Sequence, residues 1–172
     1  VLLLFFAGCV ATGIFGIGRK IPMNRVNDLG QREGYWRDSV GGGFVYDLYY
    51  KGGKKDGLYK RFYRNKLFLF GEYTADNISG TWYMFGDEGE LRCTIDSIEL
   101  NKDSIYTGYC QIFCKYKCYC ADYYPSGAVK SEGYMVCDED FMVDFWEIGE
   151  WKYYDESGNL IKTKDYGDRR TP

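Results

Sequence analysis

Histidine is absent from this chain of 172 residues. Its absence excludes Ser-His-Asp triads, histidine metal ligands and the commonest general base of enzymes. The nearby acids Asp138 and Asp140 lie in a segment typical of a turn, and they lack the glycine and distant glutamate of a calcium loop. Residues 41–43 are three glycines without the lysine and helix of a phosphate loop. We therefore expect a protein that is not an enzyme and that needs no cofactor.

Alanine is also scarce, with five residues in the whole chain, although it is the best helix former. The chain is instead rich in tyrosine, with 18 residues, and in glycine, with 22. Aromatic side chains suit a pleated, half-buried surface, and glycine suits the turns between strands. Because no stretch shows a helical period, the composition predicts an all-β protein.

The net charge of −3 gives no overall attraction for nucleic acid, so we expect no nucleic-acid partner. The charges are nevertheless segregated, because residues 51–66 hold seven bases and one acid, whereas residues 138–150 hold six acids and no base. These segments are interpreted either as two solvated faces or as two oppositely charged binding surfaces.

The first residues are apolar, and the run from Val1 to Gly8 ends in Ala-Gly followed by Cys9. This arrangement resembles the lipobox of bacterial lipoprotein signal peptides, although Phe6 stands where that family usually has leucine. The resemblance implies cleavage before Cys9, lipidation of Cys9, and a membrane-anchored protein of the cell envelope that faces outside the cytoplasm. A transmembrane helix over Val1 to Gly18 and an ordinary cleaved signal remain as alternatives.

A repeated frame, G-x-W-x-x-[FY]-x-x-x-G-x-L, organises the rest of the chain. Gly80 to Leu91 and Gly149 to Leu160 match each other without a gap. Gly57 to Leu67 is a third copy with one residue fewer, and Tyr124 to Val129 is a partial fourth. The second glycine suits a type I turn closed at positive φ, so each copy predicts a hairpin. One hairpin cannot bury its apolar face alone, so neighbouring copies must stack.

The frame resembles the MORN-type repeat, in the form seen in bacterial proteins labelled as YwqK-type antitoxin components. The resemblance extends patchily over residues 34–167 and implies an elongated, single antiparallel β-meander of hairpin repeats. Together with the turn signals it predicts ten or eleven strands in one domain over residues 34–172. Residues 1–8 would be the signal peptide, and residues 9–33 a tether.

Seven cysteines are present, and six remain if Cys9 is lipidated, which permits three disulfides in an exported chain. Four of the six form a cluster with spacings of four, four and two: Cys110, Cys114, Cys118 and Cys120. On a continuous strand these four would share one face. A turn at Lys115 to Lys117 would place Cys114 opposite Cys118, where a bridge is feasible. Inert thiols are a second interpretation, and a metal site is a third whose usual spacings the cluster does not match.

These features predict a binding module, and three functions remain open. The first is an envelope lipoprotein that binds another protein or acts as a scaffold through its repeat sheet. The second is a lipoprotein that binds glycan or cell wall through aromatic platforms, and the third is an antitoxin-like or immunity-like binder of a toxin protein. Exposure of Trp36 and Trp146, which lie outside the frame, would favour an aromatic platform.

The candidate binding surface is the basic segment, and its partner would be a protein or an anionic surface of glycan or lipid head groups. Alternation along a strand places Tyr59, Arg61 and Tyr63 on one face, and Phe62 on the other. We expect Phe62 to point inward, so that the binding residues comprise the opposite face and the adjoining turn: Lys54, Lys55, Tyr59, Arg61 and Tyr63.

Lipidation of Cys9 is testable in cells that express the full chain. A clickable fatty acid should label the wild type and leave Cys9→Ser unlabelled, since the serine cannot form the thioether. Gel fluorescence after click chemistry measures the label. Equal labelling of the two proteins would contradict this prediction.

Overall fold

The computed structural model describes residues 22–102, 114–138 and 145–167. They form eleven strands: β1 (Arg25–Val26), β2 (Arg32–Val40), β3 (Phe44–Lys51), β4 (Lys54–Tyr63), β5 (Lys66–Thr74), β6 (Asn77–Phe85), β7 (Leu91–Leu100), β8 (Tyr116–Tyr123), β9 (Val129–Cys137), β10 (Phe145–Tyr154) and β11 (Leu160–Asp165).

The strands form a single open sheet in which each pairs with its neighbours in sequence, always antiparallel. The described residues contain no helix, so the expectation of an all-β meander is confirmed. Scarce alanine and abundant aromatic residues indicated this result because large rings are favoured on a pleated surface. The sheet also begins earlier than expected, since β1 and the start of β2 lie within the stretch for which the sequence predicts a tether.

Two turn designs recur among the hairpins, and the sequence indicated the first. In the loop from Gly86 to Glu90, the Gly86 N–H donates to the Glu90 carbonyl, and the Gly89 N–H donates to the Gly86 carbonyl. Loops closed by Gly127 and Gly158 repeat both hydrogen bonds, and each closing glycine has positive φ, as the repeat frame predicts. A fourth such loop, closed by Gly30, lies in the stretch predicted as a tether.

The second design is a two-residue turn with both residues at positive φ, which matches the twist of antiparallel strands. It connects β3 to β4 through Gly52 and Gly53, β4 to β5 through Arg64 and Asn65, and β5 to β6 through Ala75 and Asp76. Alanine has no side-chain hydrogen bond to offset its left-handed backbone, so the third turn was not recognisable from sequence.

One face of the sheet carries the main core, and we call it the core face. Trp82 is 1% exposed there, and Trp151 is also buried. Each indole lies over a glycine on the preceding strand, Trp82 over Gly71 and Trp151 over Gly133. The Trp82 Nε1–H donates to the Ser79 carbonyl at 3.1 Å, so the ring's polar atom is satisfied although the ring is buried.

Trp36 belongs to the same pattern, although the sequence frame left it out. Gly34 precedes it by two residues at positive φ, as Gly80 precedes Trp82. Its Nε1–H also donates to the carbonyl three residues earlier, that of Glu33, at 3.3 Å. Trp36 is therefore part of a further, shortened copy of the repeat.

Enlarging Gly71 should destabilise the fold. A Cβ at this position would lie 2.2 Å from the Trp82 ring, so we expect Gly71→Ala to lower the free energy of unfolding by about 2 kcal/mol or more. Urea unfolding followed by circular dichroism measures the change. Glu72→Ala, an exposed neighbour on β5, is the control and should change stability by less than about 0.5 kcal/mol.

A double-mutant cycle tests the cause. If the clash with the indole is responsible, Gly71→Ala should cost clearly less in a Trp82→Leu background, because the smaller side chain leaves room for the methyl group. Strictly additive effects would contradict this explanation.

Candidate functional site

The basic segment lies on β4, and its faces are the reverse of what the sequence suggested. Tyr59 is 9% exposed and belongs to the core, so the expectation that it faces outward is wrong. Its ring contacts Trp82, with centroids 5.5 Å apart, because it stands at the position that tryptophan occupies in other copies. Phe62 lies opposite Val45 on the outer face. The predicted alternation of side chains along β4 was therefore correct, but the wrong face of the strand was assigned to the core.

Arg61 shares the core face with Tyr59, and its guanidinium lies over aromatic rings. The Arg61 Cζ atom is 4.5 Å from the centroid of Phe44 and 5.2 Å from that of Tyr46. Lys55 makes a similar contact, with its Nζ 4.7 Å from the centroid of Tyr73. Such cation–π contacts stabilise partly buried cations. Both bases are thus engaged within the sheet, and neither belongs to the outer face.

Other bases of the segment do face outward. Lys60 lies opposite Asp47, and Lys54 lies opposite Lys51, so all four side chains are on the outer face. Lys54 is the one residue of the five proposed from sequence that is both basic and on this face. The sequence missed Lys60, although the choice of the opposite face for β4 would have identified it.

These cations surround half-exposed apolar side chains. Tyr49 is 45% and Leu58 48% exposed, and both line a shallow cavity of about 220 Å³ with Tyr35, Asp47 and Lys60. We define the outer basic surface by its exposed or partly exposed members: Arg37, Tyr49, Lys51, Lys54, Leu58 and Lys60. It combines apolar contact area with positive charge.

Asp47 is the buried acid of this region, and it is already engaged. Its Oδ1 lies 2.9 Å from Arg37 Nε. The pKa of Tyr35 is raised to about 12. Burial is the largest cause, and a hydrogen bond to Asp47 and repulsion from its charge add to it. Tyr35 and Asp47 therefore interact in the lining of the cavity, and Asp47 also pairs with Arg37 beside it.

The cysteines form a second candidate site, on the core face and away from the basic segment. Cys93 Sγ lies 3.2 Å from Cys120 Sγ, and Cys118 Sγ lies 3.5 Å from Cys137 Sγ. Hydrogen bonding to the partner thiol, with burial, raises the pKa of both Cys118 and Cys120. The Cys118 and Cys120 side chains are therefore neutral thiols at physiological pH.

The pairing differs from the sequence expectation. No turn occurs at Lys115 to Lys117, because Tyr116 already begins β8 and Cys118 lies opposite Met135 of β9. Cys114 precedes the strand and joins a separate small cluster with Val136 and Ile148. Hence Cys118 and Cys120 share a face as predicted, whereas Cys114 lies elsewhere. Cys9 and Cys110 lie outside the described residues.

Sequence spacing could not reveal these pairs. Each joins cysteines on neighbouring strands, and the connection between β7 and β8 is too long for its register to be set by a turn. The single available signal was the even number of cysteines that remains if Cys9 is lipidated, and it does not specify the partners.

The acidic segment is described only in part, because residues 139–144 lie outside the described residues. Its remaining members divide between the faces of β10, with Glu147 opposite Met135. The two tryptophans outside the frame are partly buried, Trp36 against the main core and Trp146 against the small cluster of Cys114.

No protein-family model, curated protein or solved structure matches the chain. Within the described ranges, no helix is long and apolar enough to cross a membrane. The resemblance of the frame to MORN-type repeats therefore remains a prediction.

The contribution of Asp47 to the Tyr35 pKa is testable by carbon-13 NMR of ring-labelled tyrosine, with Tyr35→Phe to assign the signal. Asp47→Asn should lower the pKa from about 12 toward the ordinary 10 without reaching it, because burial remains. Since folding raises this pKa, the associated stability is complete below about pH 10 and disappears as the pH rises through about 12. Titration of wild-type Tyr35 near pH 10 would contradict the prediction.

Proposed function

We propose that this chain is a non-catalytic interaction module that binds an acidic protein through the outer basic surface. The observation that carries the proposal is the grouping of Tyr49 and Leu58, each about half exposed, with Lys51, Lys54 and Lys60 on one face of β3 and β4. Interfaces are typically centred on aromatic and aliphatic side chains with charged residues at the rim.

The charge of the surface supports an acidic partner. Asp47 is paired with Arg37 at 2.9 Å, and Lys51, Lys54 and Lys60 outnumber Glu72, an exposed carboxylate opposite Leu58. Complementary charge would increase the association rate and orient the partner, whereas the apolar centre would provide affinity. The proposal keeps the expected localisation, lipid-anchored in the cell envelope. That expectation rests on the lipobox resemblance at Cys9.

Rigidity of this surface also favours binding. The Asp47 carboxylate contacts both Tyr35 and Arg37, and the hairpin between β3 and β4 is closed by a two-glycine turn. A rigid surface loses little conformational entropy on association.

Glycan binding is the second candidate, and a different observation favours it. Tyr119 and Tyr134 lie on the outer face of β8 and β9 with their ring centroids 5.1 Å apart, and Tyr134 is 46% exposed. Exposed tyrosine rings can stack on sugars. The tryptophans that were the first candidates for a platform are partly buried, so the platform would consist of tyrosines.

A site-specific photo-crosslinker distinguishes the two functions. Placed at Tyr49 and irradiated in envelope extract, it should give one discrete protein adduct that decreases with rising salt, since exposed charges are screened beyond about 8–10 Å at physiological ionic strength. Lys60→Glu in the same protein should also decrease the adduct. The crosslinker at Ile161, an exposed apolar residue of β11, is the matched control.

Identical adducts from Tyr49 and Ile161, or an adduct that neither salt nor Lys60→Glu affects, would contradict the protein-binding proposal. Retention on cell-wall polysaccharide that Tyr134→Ala abolishes and salt does not affect would instead support the glycan function.

A further inference from the structure

Six sulfur-containing side chains cross four neighbouring strands on the core face. Met84 of β6 lies opposite Cys93 of β7, and Cys118 of β8 lies opposite Met135 of β9. All six belong to or pack against one cluster: Met84, Cys93, Cys118, Cys120, Met135 and Cys137. Such a concentration of sulfur is unusual for a core, where leucine, isoleucine and valine would fill the same volume. The repeat frame does not account for it, because none of these residues is a frame position.

The carboxylate of Asp122 lies beside two of these sulfur atoms, those of Cys93 and Cys120. Asp122 lies directly opposite Cys93 across β7 and β8, whereas Cys120 lies opposite Ile95. The two sulfur atoms and one Asp122 carboxylate oxygen all lie within 4.8 Å of one another. Two thiols and a carboxylate that converge from two strands form a compact donor set.

The donors also line a cavity of about 330 Å³, so an ion could reach them. Met84 and Met135 line the same cavity, and Arg92 and Lys130 contribute positive charge to its wall. The cavity leaves room for water or another ligand as a fourth donor, as in zinc sites with three protein ligands.

We propose that Cys93, Cys120 and Asp122 bind a zinc ion. Thiolate and carboxylate donors both suit zinc, and the set contains neither the rings of oxygens that calcium requires nor the octahedral geometry that magnesium demands. Zinc with two thiolates and one carboxylate carries a net charge of −1, which Arg92 and Lys130 at the cavity wall offset.

The separation of the sulfurs favours a bridging metal over a covalent bond. Two thiolates on tetrahedral zinc, each about 2.3 Å from the ion, are about 3.8 Å apart, so the observed 3.2 Å must widen by about 0.6 Å. A disulfide requires about 2.05 Å, so the atoms would have to approach by about 1.2 Å. Zinc binding therefore requires the smaller movement of the two sulfur atoms.

Zinc binding exchanges protons for the metal ion. Each thiol releases one proton to solvent as its sulfur binds the ion, and no electron is transferred. One Zn²⁺ therefore replaces two protons, and the second thiol pair, Cys118 and Cys137, takes no part in the exchange.

Cobalt binding tests the proposal. The full chain in mild detergent, reduced and freed of metal, should bind one equivalent of Co²⁺ with a thiolate-to-cobalt charge-transfer band, and Zn²⁺ should displace it. Cys93→Ser and Cys120→Ser should lose the band. Asp122→Asn, which has nearly the same shape, should keep the band and bind at least about tenfold more weakly.

Cys114→Ser is the matched control, since Cys114 is buried in the other cluster, and it should bind like the wild type. Circular dichroism of each metal-free variant checks the fold, and Asp122→Asn keeps the test informative if a serine variant unfolds. A wild type that shows no charge-transfer band after reduction would overturn the proposal. So would a band that Cys118→Ser abolishes and Cys93→Ser does not, or a Cys93–Cys120 disulfide in a chain that takes up no metal once reduced.

Discussion

The described residues form one sheet layer with no second layer over its apolar side, so the sheet's own side chains must cover the backbone. This chain meets the constraint by placing an indole over a glycine. Trp82 covers Gly71 and Trp151 covers Gly133, and each indole N–H donates to a backbone carbonyl. The ring provides large apolar area, and the glycine allows it to approach the backbone closely. Successive copies extend the covered surface along the sheet.

The same constraint assigns the charges of the basic segment to two faces. Since Tyr59 stands in the place of the tryptophan, β4 presents its odd-numbered side chains to the core face, and Arg61 follows them there. The guanidinium is accommodated by lying over aromatic rings. The remaining lysines lie on the outer face around Tyr49 and Leu58, where they outnumber the exposed carboxylate of Glu72 opposite Leu58.

The cysteines show how far the repeat can vary. Near β7 to β9 the sulfur side chains replace the large aromatic residues that cover the core face elsewhere, and they do so where a carboxylate and a cavity are also present. Cysteine side chains are smaller than aromatic ones and leave more space, so the cavity is explained by the same residues that depart from the frame. The candidate metal site and the candidate binding surface thus lie on opposite faces and can be tested independently.

The sequence by itself determined the fold class, the number of strands and most hairpin loops. Composition, alternation and a glycine at a fixed place in each loop act locally, and each is visible in a few consecutive residues. It did not recognise the turn at Ala75 and Asp76, which has no glycine, or the repeat copy of Trp36, in which Ser39 stands in place of the aromatic residue of the frame. Tertiary structure alone decided which face of β4 is buried and which cysteines approach each other. Both depend on register between strands, and a shift of one residue in register exchanges the two faces of a strand.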